Sequence, residues 1–253
     1  MILPWIGALL VGLSLGLLGS GGSILTVPVL IYLAGEPEKV AIAESLGIVG
    51  AISFAGFIPY ALKQQVHWRS VILFGLPGMA GTYGGAMIAA YVSGTFQLLL
   101  FAAVMVAAAL MMFRDEKKRV KVDGELEISH AWWKIVLEGL AVGVLTGLVG
   151  VGGGFLIVPA LVLLGGLPMS LAVGTSLLII ALKSFSGFFK YMDVLANMDL
   201  SMNWHLVLVF SLIGAAGSMI GKTVGAKISN ARLKKGFAFF LVVMGGYIIY
   251  MNI

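Results

Sequence analysis

Apolar residues run in long blocks along this chain, at 41–62, 71–92, 96–113, 135–149, 171–189, 206–220 and 237–249. Blocks near 20 residues with almost no charge read as membrane-spanning helices. Their β-branched residues do not make them strands, because an open sheet cannot span lipid. The pattern predicts a polytopic all-α membrane protein. Two blocks carry an interruption. GLLGSGGSILTVP at 16–28 and GLVGVGGGFLIVP at 147–159 place helix-breaking glycines inside otherwise hydrophobic segments.

These phrases belong to an internal repeat. A shift of 131 lays Gly16, Gly19, Gly21, Gly22, Pro28, Gly35, Pro37 and Ser45 on Gly147, Gly150, Gly152, Gly153, Pro159, Gly166, Pro168 and Ser176. Later the shift becomes 136, and Trp68, Phe74, Gly78, Gly81 and Gly85 fall on Trp204, Phe210, Gly214, Gly217 and Gly221. Three parts follow: an N-terminal transmembrane repeat over 1–113, a charged linker over 114–131, and a C-terminal transmembrane repeat over 132–253. Each half is a Gly-broken segment followed by three long helices.

The broken segment reads either as one interrupted span or as a re-entrant hairpin. Leu3 to Leu18 makes ~24 Å of helix and Ser23 to Leu33 only ~16 Å, against a ~30 Å hydrocarbon core. Charge separates the two. If the segments are re-entrant, each half crosses three times and the halves have inverted topology. The loop at 63–69, the linker with the adjoining Lys134, and the stretch 222–235 then share a face holding 13 of the 16 Lys and Arg residues. The positive-inside rule makes that face, and the linker, cytoplasmic in a multi-pass protein of the cell (inner) membrane. Inverted repeats with broken helices are a recurring transporter plan.

Composition agrees. The chain is 60% hydrophobic and 11% charged, against about 25% charged in soluble domains. Its start, MILPWIGALL, lacks a basic region and reads as the first membrane segment. With no cysteine, disulfides, thiol catalysis and Cys-based metal sites are excluded. The net charge of +5 is accounted for by cytoplasmic Lys and Arg, so no nucleic-acid partner is expected.

A glycine break within the bilayer leaves backbone groups that are tolerated only in a protein-lined cavity, where they can bind something. Arms beginning at Ser23 and Gly154 would aim their positive dipole ends at such a ligand, which suits an anion. The candidate substrate-binding residues are therefore Ser20, Gly21, Gly22, Ser23, Gly152, Gly153 and Gly154, with the neighbouring hydroxyls of Ser45, Thr175 and Ser176. The competing explanation is close helix packing by small residues.

Two charges lie inside apolar blocks, Glu44 and Lys183, and intramembrane charges are functional hypotheses by default. Counted from Pro37 and Pro168, both fall roughly 8–10 Å from the outer face of a ~30 Å core. They are expected to form an ion pair, with Lys183 also a substrate or gating charge and Glu44 a proton-coupling group.

Other signals are weaker. AGSMIGKT at 216–223 matches a relaxed P-loop, but it closes an apolar helix, where no strand precedes it. Ser20 has no intramembrane His to activate it. The three His residues have no metal-ligand spacing. No cofactor and no metal is expected, and no enzyme activity.

Taken together, the paired glycine blocks, GTSLLII at 174–180, Trp68 and Trp204 opening the third helix of each half, and the helix-end glycines resemble the sulfite exporter TauE/SafE family of membrane permeases. The resemblance covers nearly the whole chain. It implies a secondary transporter, working as an exporter, for small sulfur-containing or organic anions such as sulfite or organosulfonates, by alternating access. The alternative is an anion channel. Expected partners are the anion, the lipid bilayer, protons as a candidate coupling ion and room for a homodimer. Glu44 departs from the internal pattern, since it stands where the second half has Thr175.

Overall fold

The computed structural model describes residues 2–18, 22–114, 132–150, 157–158, 161, 167–225 and 230–252. Among these, nine helices follow one another: α1 Leu3–Leu18, α2 Ser23–Val29, α3 Glu38–Leu62, α4 Trp68–Ala89, α5 Gly94–Arg114, α6 Trp132–Val149, α7 Met169–Ala196, α8 Trp204–Gly225 and α9 Asn230–Asn252. The expected linker at 114–131 falls outside the described residues apart from Arg114, which closes α5. Four helices are long and apolar enough to cross a membrane: α3, α4, the α7 stretch Leu171–Ala196 and the α8 stretch Trp204–Thr223. The other helices carry shorter apolar stretches.

Local sequence explains the irregular points. Pro28 lies inside α2, where it lacks an N–H for the helical ladder. The helix continues as a wider π turn over Leu30–Ala34. It stops at Gly35, whose φ of +76° suits a residue without a side chain. Pro37 then caps α3. In α4 a π turn at Val71–Gly75 precedes Pro77, so the missing proline N–H is accommodated without ending the helix.

The segment over α1 and α2 is a hairpin. A side chain at Gly7 would strike Val29 and Leu33, and one at Gly22 would strike Leu15, Ser14 and Val11. The arms therefore lie side by side in opposite directions. At Gly22 this is close packing, since the backbone of α1 occupies the space a Cβ would need.

The helices pair across the two halves. Gly12 and Gly16 of α1 lie on the carbonyls of Gly214 and Ser218 in α8, while Gly217 and Gly221 lie on those of Leu9 and Leu13. Gly143 and Gly147 of α6 lie on the carbonyls of Gly78 and Thr82 in α4, while Gly81 and Gly85 lie on those of Leu140 and Val144. Under the shifts of 131 and 136 these are the same four contacts, made twice. Residue numbers rise together in each set, so both pairs run parallel. Such small-residue faces let backbones approach closely where lipid offers no hydrophobic drive.

The centre is formed by α3 and α7. Gly47 meets Phe188, Gly50 meets Phe185 and Gly56 meets Leu177. Numbers rise on one helix as they fall on the other, so these two equivalent helices are antiparallel. Ile42, Leu46, Ile48, Ile52, Leu177, Ile179 and Ile180 bury their side chains there. Outward, Ile72, Leu76, Leu208 and Leu212 are all more than half exposed. That is the apolar surface a bilayer covers, and the protein is a multi-pass membrane protein.

Candidate functional site

Lys183 is the most unusual residue in the core. It is fully buried, and among the described residues its Nζ has no hydrogen-bond partner. It stands at the middle of α7: fourteen residues from Met169 and thirteen from Ala196 make ~21 and ~20 Å of helix. Its stem lies on Gly78 of α4, where a Cβ would come within 2.8 Å of the lysine Cδ. The same place in the other half pairs Gly214 with Ile52. One repeat thus puts an ammonium where its counterpart puts a methyl group.

Two hydroxyls share that level. Ser53 and Ser184 are equivalent under the 131 shift, both fully buried, and neither Oγ has a partner among the described residues. The α3–α7 register brings them within two residues of each other's level. Neither stood out in the sequence, where a lone serine in an apolar run usually bonds its own helix.

Glu44 does something different. Its Oε1 accepts a hydrogen bond from the Asn203 N–H at 2.7 Å. Asn203 opens α8, its own Oδ1 accepting from the Leu206 N–H at 3.1 Å. The counterpart is close: Thr175 Oγ1 accepts from the His67 N–H at 2.9 Å, and His67 caps α4. Residues 44 and 175 each tie the buried centre to the start of an outer helix. The other carboxylate oxygen, Oε2, has no partner among the described residues.

The expected ion pair between Glu44 and Lys183 is not formed. Among the described residues the one ion pair is Lys190 Nζ with Asp193 Oδ2 at 3.3 Å. The register explains the discrepancy. With Gly47 opposite Phe188 and Gly50 opposite Phe185, Glu44 faces the level of Tyr191 and Lys183 the level of Ile52. Eight residues, or ~12 Å along a helix, separate them. The sequence estimate took Pro168 as the membrane edge. At 28 residues, α7 is ~42 Å long and overshoots a ~30 Å core.

The glycine break of the second half is flanked by a well-tied helix end. Gly150 has φ of +73° and its Cβ position is filled by Ile42. Ser45 Oγ donates to the Gly150 carbonyl at 2.5 Å. Gln97 Nε2 donates to the Leu148 carbonyl at 2.5 Å and to Tyr191 Oη at 2.8 Å. This end lies level with residues 42–45 of α3, toward the end that bears Glu38. Gly152, Gly153 and Gly154 lie outside the described residues, as do Ser20 and Gly21. Ser23 is buried at the start of α2. Ser176 Oγ is turned to its own helix, donating to the Val173 carbonyl at 2.8 Å. Among the described residues no three His, Asp or Glu side chains gather as a metal site would need.

A family model for sulfite exporter TauE/SafE matches residues 5–248. The chain belongs to that family. Relatives of the TauE/SafE protein carry transporter names along nearly their whole length. A Xylella fastidiosa protein named "Probable membrane transporter protein" is 33% identical over 246 residues, covering 96% of this chain and 92% of the relative. The "Probable membrane transporter protein YunE" of Bacillus subtilis is 28% identical, covering 94% and 93%. The "Probable membrane transporter protein MJ0441" of Methanocaldococcus jannaschii is 26% identical, covering 98% and 96%. No solved structure matches the chain. The TauE/SafE protein is thus a membrane transporter and not an enzyme.

Proposed function

We propose that the protein is a secondary transporter, working as an exporter, that carries small sulfur-containing or organic anions such as sulfite or organosulfonates by alternating access between two inverted repeats. The observation that carries this reading is the buried ammonium of Lys183 at the middle of a central helix, without a partner among the described residues. An unpaired charge there is costly, and an anion arriving beside it would offset that cost. Ser53 and Ser184 supply hydroxyls at the same depth. The antiparallel run of the equivalent helices α3 and α7 supports inversion of the halves. The reciprocal glycine contacts, which dock α1 on α8 and α6 on α4, support these docked helices as moving elements. On this reading the residues of the two breaks, Ser20 to Ser23 and Gly152 to Gly154, contact the anion, and Ser45, Thr175 and Ser176 anchor the helices around them. Glu44, with one oxygen engaged and one bare, is the proton-coupling group. The basic end of the bundle and the linker face the cytoplasm.

The test is uptake of labelled methanesulfonate and sulfite into proteoliposomes. Saturable flux with counterflow is expected. Lys183→Met should abolish it while the purified protein stays monodisperse, and Lys183→Arg should retain part of it. Normal flux through Lys183→Met refutes the site. Flux without saturation or counterflow refutes the carrier in favour of an anion channel.

A further inference from the structure

A second basic feature lies away from Lys183. A shallow cleft opens between α1, α3, α7 and α8, lined among others by Gly16, Gly56, Tyr60, Leu177, Ser218 and Lys222. Lys222 Nζ stands 3.8 Å from the centroid of the Tyr60 ring. That is a close cation–π contact, and it leaves the ammonium donors free for an acceptor. The cleft wall includes Pro59, which cannot bond the Ala55 carbonyl behind it. Ser218 Oγ lies beside Gly56, within 3.2 Å of where a Cβ would stand.

The equivalent place in the other half is built differently. There the roles are exchanged: Lys190, the counterpart of Pro59, stands 5.5 Å from the ring of Tyr83, the counterpart of Met219. That lysine is neutralised by Asp193 at 3.3 Å. The counterpart of Asp193 in the first half is Leu62, and among the described residues Lys222 has no carboxylate partner. The counterpart of Tyr60 is Tyr191, whose hydroxyl is occupied by Gln97. One end of the bundle therefore has a compensated lysine and a bonded tyrosine. The other has an uncompensated lysine over a tyrosine ring in an open, largely apolar cleft.

We infer that the Lys222–Tyr60 cleft is a second anion-binding site, a mouth at the basic end of the bundle from which a small anion with a compact apolar body, of the sulfonate or carboxylate type, passes toward Lys183. Leu177 in the cleft is six residues from Lys183, ~9 Å along α7. The inference rests on the transporter reading for its purpose, but the site itself can be tested without transport.

The chain has no cysteine, so Met219→Cys in the cleft wall gives one reactive thiol. Its alkylation by a maleimide is timed in phosphatidylcholine nanodiscs with methanesulfonate, and with a chloride salt of matched ionic strength. Methanesulfonate should slow the reaction at least threefold. Adding Lys222→Gln should remove the protection, and Lys222→Arg should keep it. Adding Lys183→Met should keep the protection while abolishing transport. No slowing, slowing that survives Lys222→Gln, or slowing lost with Lys183→Met would each overturn the proposal. So would protection by phosphatidylglycerol nanodiscs with none by methanesulfonate, which would make the cleft a lipid-headgroup site. Failure of the transporter reading shows separately, as protection intact with no flux in the parent protein.

Discussion

Replacing Glu44 separates its helix-tying role from a role as the partner of Lys183. Its Oε1 is the acceptor for the Asn203 N–H at 2.7 Å. Glu44→Ala leaves that buried amide unpaired, at a cost of about 1–3 kcal/mol. Glu44→Gln keeps an oxygen in place and should cost less than about 1 kcal/mol on the same basis. Thr175→Val removes the matching acceptor from His67 and should cost about as much as Glu44→Ala. Lys183→Met replaces a buried ammonium that has no partner among the described residues, so it should raise stability. The double variant then decides between contact and distance. At ~12 Å and an effective dielectric near 20, the two charges interact by about 1.4 kcal/mol. A buried pair in contact would instead lose about 3–5 kcal/mol when one partner is removed. The assay is reversible unfolding in mixed micelles, followed by tryptophan fluorescence, through a Glu44→Gln and Lys183→Met double-mutant cycle. A coupling energy of 3 kcal/mol or more would refute the separation. Equal losses from Glu44→Gln and Glu44→Ala would refute the hydrogen-bonding role.

The reciprocal glycine contacts predict paired effects: Gly16→Ala and Gly147→Ala should each destabilise by about 1–3 kcal/mol through overpacking, and the two losses should match within about 1 kcal/mol in the same unfolding assay. The proposed orientation predicts that a cysteine appended after Ile253 reacts with an impermeant maleimide in whole cells, whereas one at Gly124 reacts only after permeabilisation. The reverse pattern would invert the orientation, and labelling of both in whole cells would remove it.

Much of the architecture was legible because lipid imposes simple rules. Apolar blocks marked the helices, and the glycines at 19–22 marked the turn between α1 and α2. The positions of Gly12, Gly16, Gly214 and Ser218 against one another were not legible. Small residues announce a packing face without naming the face they meet. The role of Glu44 was missed for a related reason. A carboxylate in an apolar run suggests an ionic partner, but the nearest donor is a backbone amide 159 residues away, and amides leave no mark in composition. The departure of Glu44 from Thr175 pointed the right way, since equivalent positions proved to make equivalent bonds. Gln97 was a usable signal that went unread: it is a lone amide in the block at 96–113, and it ties α5 to α6 and α7. Depth was the weakest inference, because counting from a proline assumes that the helix end marks the membrane edge.

The exchange of helices between the halves has a consequence for how the chain is made. The glycine face of α1 is synthesised first, yet its partner on α8 follows about 200 residues later. At roughly 5–20 residues per second, α1 waits on the order of 10–40 seconds in the membrane with its notched surface turned to lipid or to the insertion machinery. The pair α4 and α6 waits less, because only α5 and the linker come between them. Assembly should therefore begin at that younger seam and finish at the older one. The glycine face of α1 finds its partner only in the second half, so a truncated first half should be a ready substrate for membrane proteases and should be rescued when the second half is supplied as a separate chain.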